Sequence, residues 1–264
     1  MRGAKAKSLI CARRFAPRGG KRLADSSQAE GARESLEWLS TEKLLELVAH
    51  DINNMCHGAL SYIDLALDPK LPPEARQKFL LTAKQLTHRA SRFTPHLRQL
   101  TELRVTKVAG VPAEPVKKAA ADARAKAGEL HFGSAFDLEL SGEALGARPV
   151  GGKFFTSALA HLFDNALRNG RPGEPVKVRL EAARHGAALR IRVSDNGRGF
   201  QHGADVHAGR RFQTPGSVSG AGLGLAFVRL LAERAGGSFV VEKAPPGAAA
   251  GASVVLELPE AALQ

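Results

Sequence analysis

The 264-residue chain is longer than the usual single domain, and its 44% hydrophobic and 24% charged residues suit one large or two modest domains with a real core. It has no run of eighteen or more apolar residues, so no membrane-spanning helix is expected. The net charge of +12 suggests nucleic acid until it is located: eight of the 38 basic residues fall within the first 22 positions, before the first acid, Asp25. The rest is only mildly basic, so nucleic-acid binding is not expected.

Residues 1–33 read as a basic, disordered leader. The excess of arginine over acid also suits an organellar transit peptide, but no amphipathic stripe supports that, and a signal-peptide apolar core is missing. Cys11 and Cys56 have neither metal-ligand spacing nor a pairing logic, which is the pattern of free thiols in a reducing cytoplasm.

A long helix is predicted from Ser35 or Ser40 to Leu67, with Leu44, Leu45, Val48, Ile52, Met55, Cys56, Leu60 and Ile63 at helical spacing. Lys43, Glu46, His50, Asn54, His57 and Ser61 form its polar face. D-P-K-L-P-P breaks it, and Pro72 or Pro73 can open the next helix, which runs to about Leu103. There Phe79, Ala83, Leu86, Ala90, Phe93, Leu97 and Leu100 make a heptad seam, with Pro95 off it. The two helices form an αα-hairpin over 34–107 whose apolar stripes need a partner, and a second copy completing a four-helix bundle is the simplest.

The Pro- and Gly-rich run 108–115 reads as a linker. Beyond it, 116–264 is predicted as a second domain: a helix over 115–128, short strands near 136–140 and 147–150, and a helix over 152–169. Alternating strands at 176–180 and 188–194 follow, then a glycine-rich loop, a helix over 222–235, and strands at 238–242 and 253–258. Helices and strands without strict βαβ alternation predict an α+β two-layer sandwich.

Three signals in this domain point to phosphate chemistry. His161 and Asn165 lie one turn apart on one helix face, and an asparagine oxygen suits a hydrated Mg²⁺. Asp195 ends a strand in D-N-G-R-G-F, where Gly197 and Gly199 permit close backbone approach. G-A-G-L-G-L opens a helix, so Gly220, Gly222 and Gly224 can offer backbone N–H groups to phosphate. Each signal has a bland reading: a solvated helix face, a turn, a tight start to a helix.

H-L-F-D-N-A-L-R-N, D-N-G-R-G-F and G-A-G-L-G-L, in this order, resemble the ATP-binding domain of sensor histidine kinases, in the GHKL ATPase superfamily. The resemblance implies that Asn165 chelates Mg²⁺, with His161 upstream in the same box and Arg168 near the phosphates. It implies that Asp195 holds the adenine, that Gly197 and Gly199 shape its pocket, and that Gly220, Gly222, Leu223 and Gly224 form the phosphate loop. Residues 201–219 would be the lid, with Phe212 at the family's lid phenylalanine beside Arg210 and Arg211. Asn169 stands where the family often has tyrosine. Hydrolase branches of the superfamily carry a glutamate where this chain has His161, which favours the kinases.

A-H-D-I-N-N resembles the phosphoacceptor box of histidine kinases. By that resemblance His50 is the acceptor, Asp51 accepts the proton of its other ring nitrogen, and Asn54 could orient a water for dephosphorylating a partner. The expected protein is a cytoplasmic homodimer using ATP and Mg²⁺. It would pass phosphate to an aspartate on a separate response-regulator receiver domain and take input from a sensory partner. Two other readings stay open here: a phosphotransfer protein with a vestigial ATP domain, and an ATP-gated interaction scaffold.

Overall fold

A computed structural model describes residues 41–91, 93–131, 135–200, 223–242 and 251–261. The leader, with Cys11, lies outside them. The first helix, α1 (Thr41–Ala66), is followed by α2 (Pro73–Ser91) and α3 (Phe93–Val105). Pro73 occupies the first position of α2, where its missing N–H would have no intrahelical partner in any case. Residues α1 and α2 run antiparallel where they touch: Leu86 lies over Gly58, and the rings of Tyr62 and Phe79 are 5.9 Å apart.

The face that α1 turns inward matches the expected one only in part, at Ile52 and Met55 but not at Cys56, Leu60 or Ile63. Ala59 and Ala66 are buried and Tyr62 is half-buried, whereas Leu60 and Ile63 are exposed at 57% and 38%. Ile52 and Met55 are half-buried on the same side as Ala59 and Tyr62. The side chains of Leu44, Leu45 and Val48 lie outside the described residues.

From Glu46 onward the chain is one compact unit. Leu100 and Leu103 of α3 are fully buried, and Arg234, at the end of a later helix, donates to the Thr106 carbonyl at 3.1 Å. The 108–115 run is bound along its length. Val108 is buried, Arg148 donates to the Ala113 carbonyl, and Gly152 approaches Pro112 so closely that a Cβ would lie 2.2 Å from its carbonyl oxygen. Gly152 also has φ +46°, a backbone conformation that favours glycine.

The second half contains α4 (Val116–Leu130), β1 (Asp137–Ser141), α5 (Lys153–Arg168), β2 (Lys177–His185), β3 (Ala188–Asp195), α6 (Leu223–Arg234), β4 (Ser238–Glu242) and β5 (Ser253–Pro259). The strands form one sheet in the order β1-β2-β3-β5-β4, parallel only between β1 and β2. The strand expected near 147–150 is reduced to a single bridge between Pro149 and Glu260, flanked by Val150 N–H to the Pro259 carbonyl and Ala261 N–H to the Arg148 carbonyl, and the chain turns away at Gly151 and Gly152, both at positive φ.

Alternation decides the two faces of the sheet. Val178, Leu180, Leu189, Ile191, Leu256 and Leu258 point to one side and are buried against the helices, with Phe155, Phe163, Phe227 and Leu231. The opposite side carries ion pairs between strands: Glu139–Arg179, Glu181–Arg192, Arg192–Glu242, Arg190–Glu242 and Arg190–Glu257. The α+β two-layer architecture is the expected one.

Candidate active site

The site is built where α5 ends and β3 meets β5. Asp195 closes β3, and its Oδ1 accepts the backbone N–H groups of Gly197 at 2.8 Å and Ala252 at 3.2 Å. Burial pushes the Asp195 carboxyl above the usual carboxylate range, and those two backbone donors only partly offset it. The folded state therefore bears a standing cost once pH rises past that range and the group ionises.

Two glycines hold this corner. A Cβ on Gly197 would lie 2.5 Å from the Asn169 carbonyl oxygen, and one on Gly251 would lie 1.6 Å from the Asp195 carbonyl oxygen. Gly199 has φ +71°. Asn196 is structural: it clamps the start of β2 by accepting from Lys177 N–H at 2.8 Å and donating to the Pro175 carbonyl at 3.0 Å.

Asn165, half-buried on α5, has its side-chain oxygen 3.0 Å from the Asn169 amide nitrogen. Arg168, expected near phosphates, directs its guanidinium to Asp164 Oδ2 at 2.7 Å, while Oδ1 of the same carboxylate meets His131 Nε2 at 2.7 Å. Asp164 is buried, so these partners stabilise a charge that would otherwise be desolvated without compensation.

His161 is the sharpest departure from expectation. Its ring is buried between Phe227 (centroids 5.0 Å apart) and His96 of α3 (4.6 Å), beside Gly224, and Nε2 has no hydrogen-bond partner. Desolvation, with help from His96, pushes its pKa down to about 3, Asp164 acting weakly in the other direction and Arg168 adding a small further depression. It is a neutral packing residue where α3, α5 and α6 meet.

The unfolded chain takes this proton near pH 6.5, so the stability His161 confers is complete above pH 6.5 and is lost as pH falls toward about 3. Between pH 7.5 and 5.5 the loss from this one residue is on the order of 1.4 kcal/mol, or roughly 3–5 °C in Tm. His161→Leu is expected to remove that part of the pH dependence, as read by thermal unfolding at both pH values. An unchanged dependence would mean that the proton reaches the imidazole in the folded state.

His50 is exposed on α1, and the Asn54 amide nitrogen lies 3.2 Å from its Nδ1 and 3.4 Å from its Nε2. The Asp51 side chain lies outside the described residues, as do Phe212, Arg210, Arg211, the lid 201–219, Gly220 and Gly222. Leu223 is buried at the start of α6. Gly251, Ala252, Asp164 and His131 were not singled out by sequence. Only the glycine that precedes the last strand offered a signal.

Residues 152–262 match the family described as histidine kinase-, DNA gyrase B-, and HSP90-like ATPase. The match is confined to this region, which holds Asn165, Asp195 and Gly251. The sensor protein DivL of Caulobacter vibrioides is 38% identical over 109 residues, 41% of this chain and 13% of DivL. The sensor-type histidine kinase PrrB of Mycobacterium tuberculosis is 38% identical over 99 residues, 36% of this chain and 22% of PrrB. The chain thus spans less than a quarter of either relative.

Two solved structures share the fold. Full-length ShkA in complex with AMPPNP has a TM-score of 0.51 at 21% identity, covering 85% of this chain and 47% of that one. The Acinetobacter baumannii histidine kinase AdeS has a TM-score of 0.52 at 16% identity, covering 79% of this chain and 94% of that one.

Proposed function

We propose that this chain is an ATP-dependent protein-histidine kinase that phosphorylates its own His50 and passes the phosphoryl group to an aspartate of a separate response-regulator receiver domain. The observation that carries this is a nucleotide corner on the same chain as an exposed histidine in an H-D-x-x-N box. That corner comprises Asp195 under two backbone donors, Gly197 and Gly251 with no room for a Cβ, and the Asn165 carboxamide.

The residues fit the nucleotide and its metal. Asp195 Oδ1 is taken by backbone, so Oδ2 is the oxygen for an adenine amine. Asn165 would hold Mg²⁺, and no group of three or more His, Cys, Asp or Glu residues among those described could hold a metal ion. A cation bound chiefly through waters and phosphates matches the way Mg²⁺ is held in nucleotide sites. When bound, Mg²⁺ neutralises charge developing on the phosphates.

In the transfer, one His50 ring nitrogen forms a bond to the γ-phosphorus as the bond to the leaving ADP oxygen breaks. The other nitrogen bears the proton, and Asp51 stabilises the imidazolium. Only the unprotonated ring nitrogen can accept from the Asn54 amide, and the same nitrogen is the nucleophile, so attack requires that Asn54 release it. In this reading Asn54 would also orient a water for dephosphorylation of the regulator. No carboxylate stands at position 161 to activate water, and Asp164, the acid nearby on α5, is bonded to His131 and Arg168. This supports transfer over hydrolysis.

A homodimer is supported by Leu60, Ile63, Leu67, Leu80 and Leu81, which leave apolar surface uncovered on α1, on α2 and just beyond α1. Among the described residues no helix is long and apolar enough to cross a membrane. A cytoplasmic location and a sensory partner complete the reading.

Incubation with γ-labelled ATP and Mg²⁺ tests the activity. The nucleotide site has its own test in Asp195→Asn, whose Oδ1 can still accept both backbone donors while its amide now faces the adenine amine. ADP affinity is expected to fall by about 2 kcal/mol, roughly 30-fold, with the nucleotide-free Tm unchanged or raised because the desolvated charge is gone. Calorimetric titration and thermal unfolding check the two halves. Wild-type ADP affinity in this variant would remove Asp195 from the site.

A further inference from the structure

Asn169 follows the last residue of α5 at φ −102°, ψ 11°. Its backbone N–H donates to the Asn165 carbonyl at 3.1 Å, and its side-chain amide reaches the same carbonyl at 2.8 Å and the Asn165 side-chain oxygen at 3.0 Å. On its other side, the Asn169 carbonyl accepts the Arg198 N–H at 2.9 Å and abuts Gly197.

Capping the helix needs only the bonds to the Asn165 carbonyl. The bond to the Asn165 side-chain oxygen is additional, and its effect is specific. A carboxamide rotates about a broad, two-fold torsion and has two ends of nearly equal shape. The end facing the Asn169 donor has to be the oxygen, which retains a second lone pair for a hard cation.

We propose that Asn169 is a positioning residue for the divalent cation: its side-chain amide locks the Asn165 carboxamide in one orientation, so the oxygen is presented as a ligand without reorganisation. This rests on reading Asn165 as the Mg²⁺ ligand. Asn169 thus has a task at the metal in place of the nucleotide stacking that an aromatic ring could provide. Partners that orient metal ligands typically contribute 10–100-fold in metal affinity.

The test uses the full chain, with ADP binding followed by calorimetry in excess EDTA and at rising Mg²⁺. In Asn169→Ala the Mg²⁺ concentration giving half-maximal tightening of ADP is expected to rise about tenfold. ADP affinity in EDTA stays within about twofold, since the cation is not involved. Asn165→Ala removes the Mg²⁺ response, and Asn165→Ala/Asn169→Ala matches Asn165→Ala, because Asn169 acts through Asn165. Should the alanine variant fold poorly, Asn169→Asp keeps the shape without the donor. It is expected to lose Mg²⁺ response despite an added negative charge that would by itself attract the cation.

An unaltered Mg²⁺ response in Asn169→Ala overturns the positioning role. So does an equal loss in EDTA and Mg²⁺, which is a cap alone, or a further shift in the Asn165→Ala background, or a stronger response in Asn169→Asp. A wild-type chain that binds ADP without responding to Mg²⁺ overturns the reading of Asn165 itself, and one that binds no ADP overturns the nucleotide site.

Discussion

His50→Gln is expected to carry no acid-labile, base-stable label after incubation with γ-labelled ATP and Mg²⁺, at an ADP affinity equal to that of the wild type. A phosphoramidate bond needs a ring nitrogen with a free lone pair, and glutamine has a similar reach without one. His50 is exposed and lies on α1, well away in sequence from the residues that build the nucleotide corner, so its replacement leaves that corner intact. The loss should be complete rather than graded, because the bond-forming atom itself is removed. Label persisting in His50→Gln moves the acceptor to another histidine, with His57 and His88 the next to be replaced. Label missing from a wild-type chain that binds ATP tightly defeats the kinase reading and leaves a binding module.

The second large effect is expected at Gly251→Ala. One added methyl would lie 1.6 Å from the Asp195 carbonyl oxygen, 2.6 Å from its carbon and 3.2 Å from Asn196 Cα, all backbone atoms that no side-chain rotation can move. The β3–β5 ladder must open at this end, and with it goes the Ala252 N–H that holds Asp195 at 3.2 Å. Destabilisation of about 3 kcal/mol or more follows from overpacking against rigid backbone, which is a Tm lower by roughly 6–12 °C for a unit of this size. ADP binding should fall with it. Gly173→Ala is the control: φ is +80° but nothing lies within 4 Å of the added carbon, so only local strain of about 1 kcal/mol is expected. Equal melting points for the two alanine variants would show that the sheet yields at Gly251.

What the sequence disclosed follows the range of the interactions involved. The strands Lys177–His185 and Ala188–Asp195 were legible because one face is buried and the other solvated, which writes a period of two into the residues. The pattern at 147–150 misled because the strand-like residues pair for one bridge only before Gly151 and Gly152 turn the chain into α5. On α1 the large aliphatic residues marked a face by hydrophobicity, yet Leu60 and Ile63 are exposed while Ala59 and Ala66 are buried.

In the candidate site, Asn165, Asp195 and Gly197 were visible as local motifs. Gly251 meets Asp195 across more than fifty residues, and Asp164 meets His131 across 33, so only the folded chain brings them together. His161 was visible as a polar residue in the right box, yet its burial depends on His96 and Phe227, both remote in sequence.

The ion pairs on the open side of the sheet bear on how the domain folds. Glu139 faces Arg179, Glu181 faces Arg192, and Arg190 faces Glu257 directly across neighbouring strands. A slip of one residue in any of these ladders would turn arginines and glutamates into the helix-covered core and lift Leu180, Leu189 or Leu256 into water. Misaligned sheets are thus penalised twice, once by unpaired buried charge and once by exposed aliphatic surface. In kinetic terms the charged face acts as a proofreader of strand pairing: wrong registers are short-lived, and the chain can try again before an open strand edge finds another molecule.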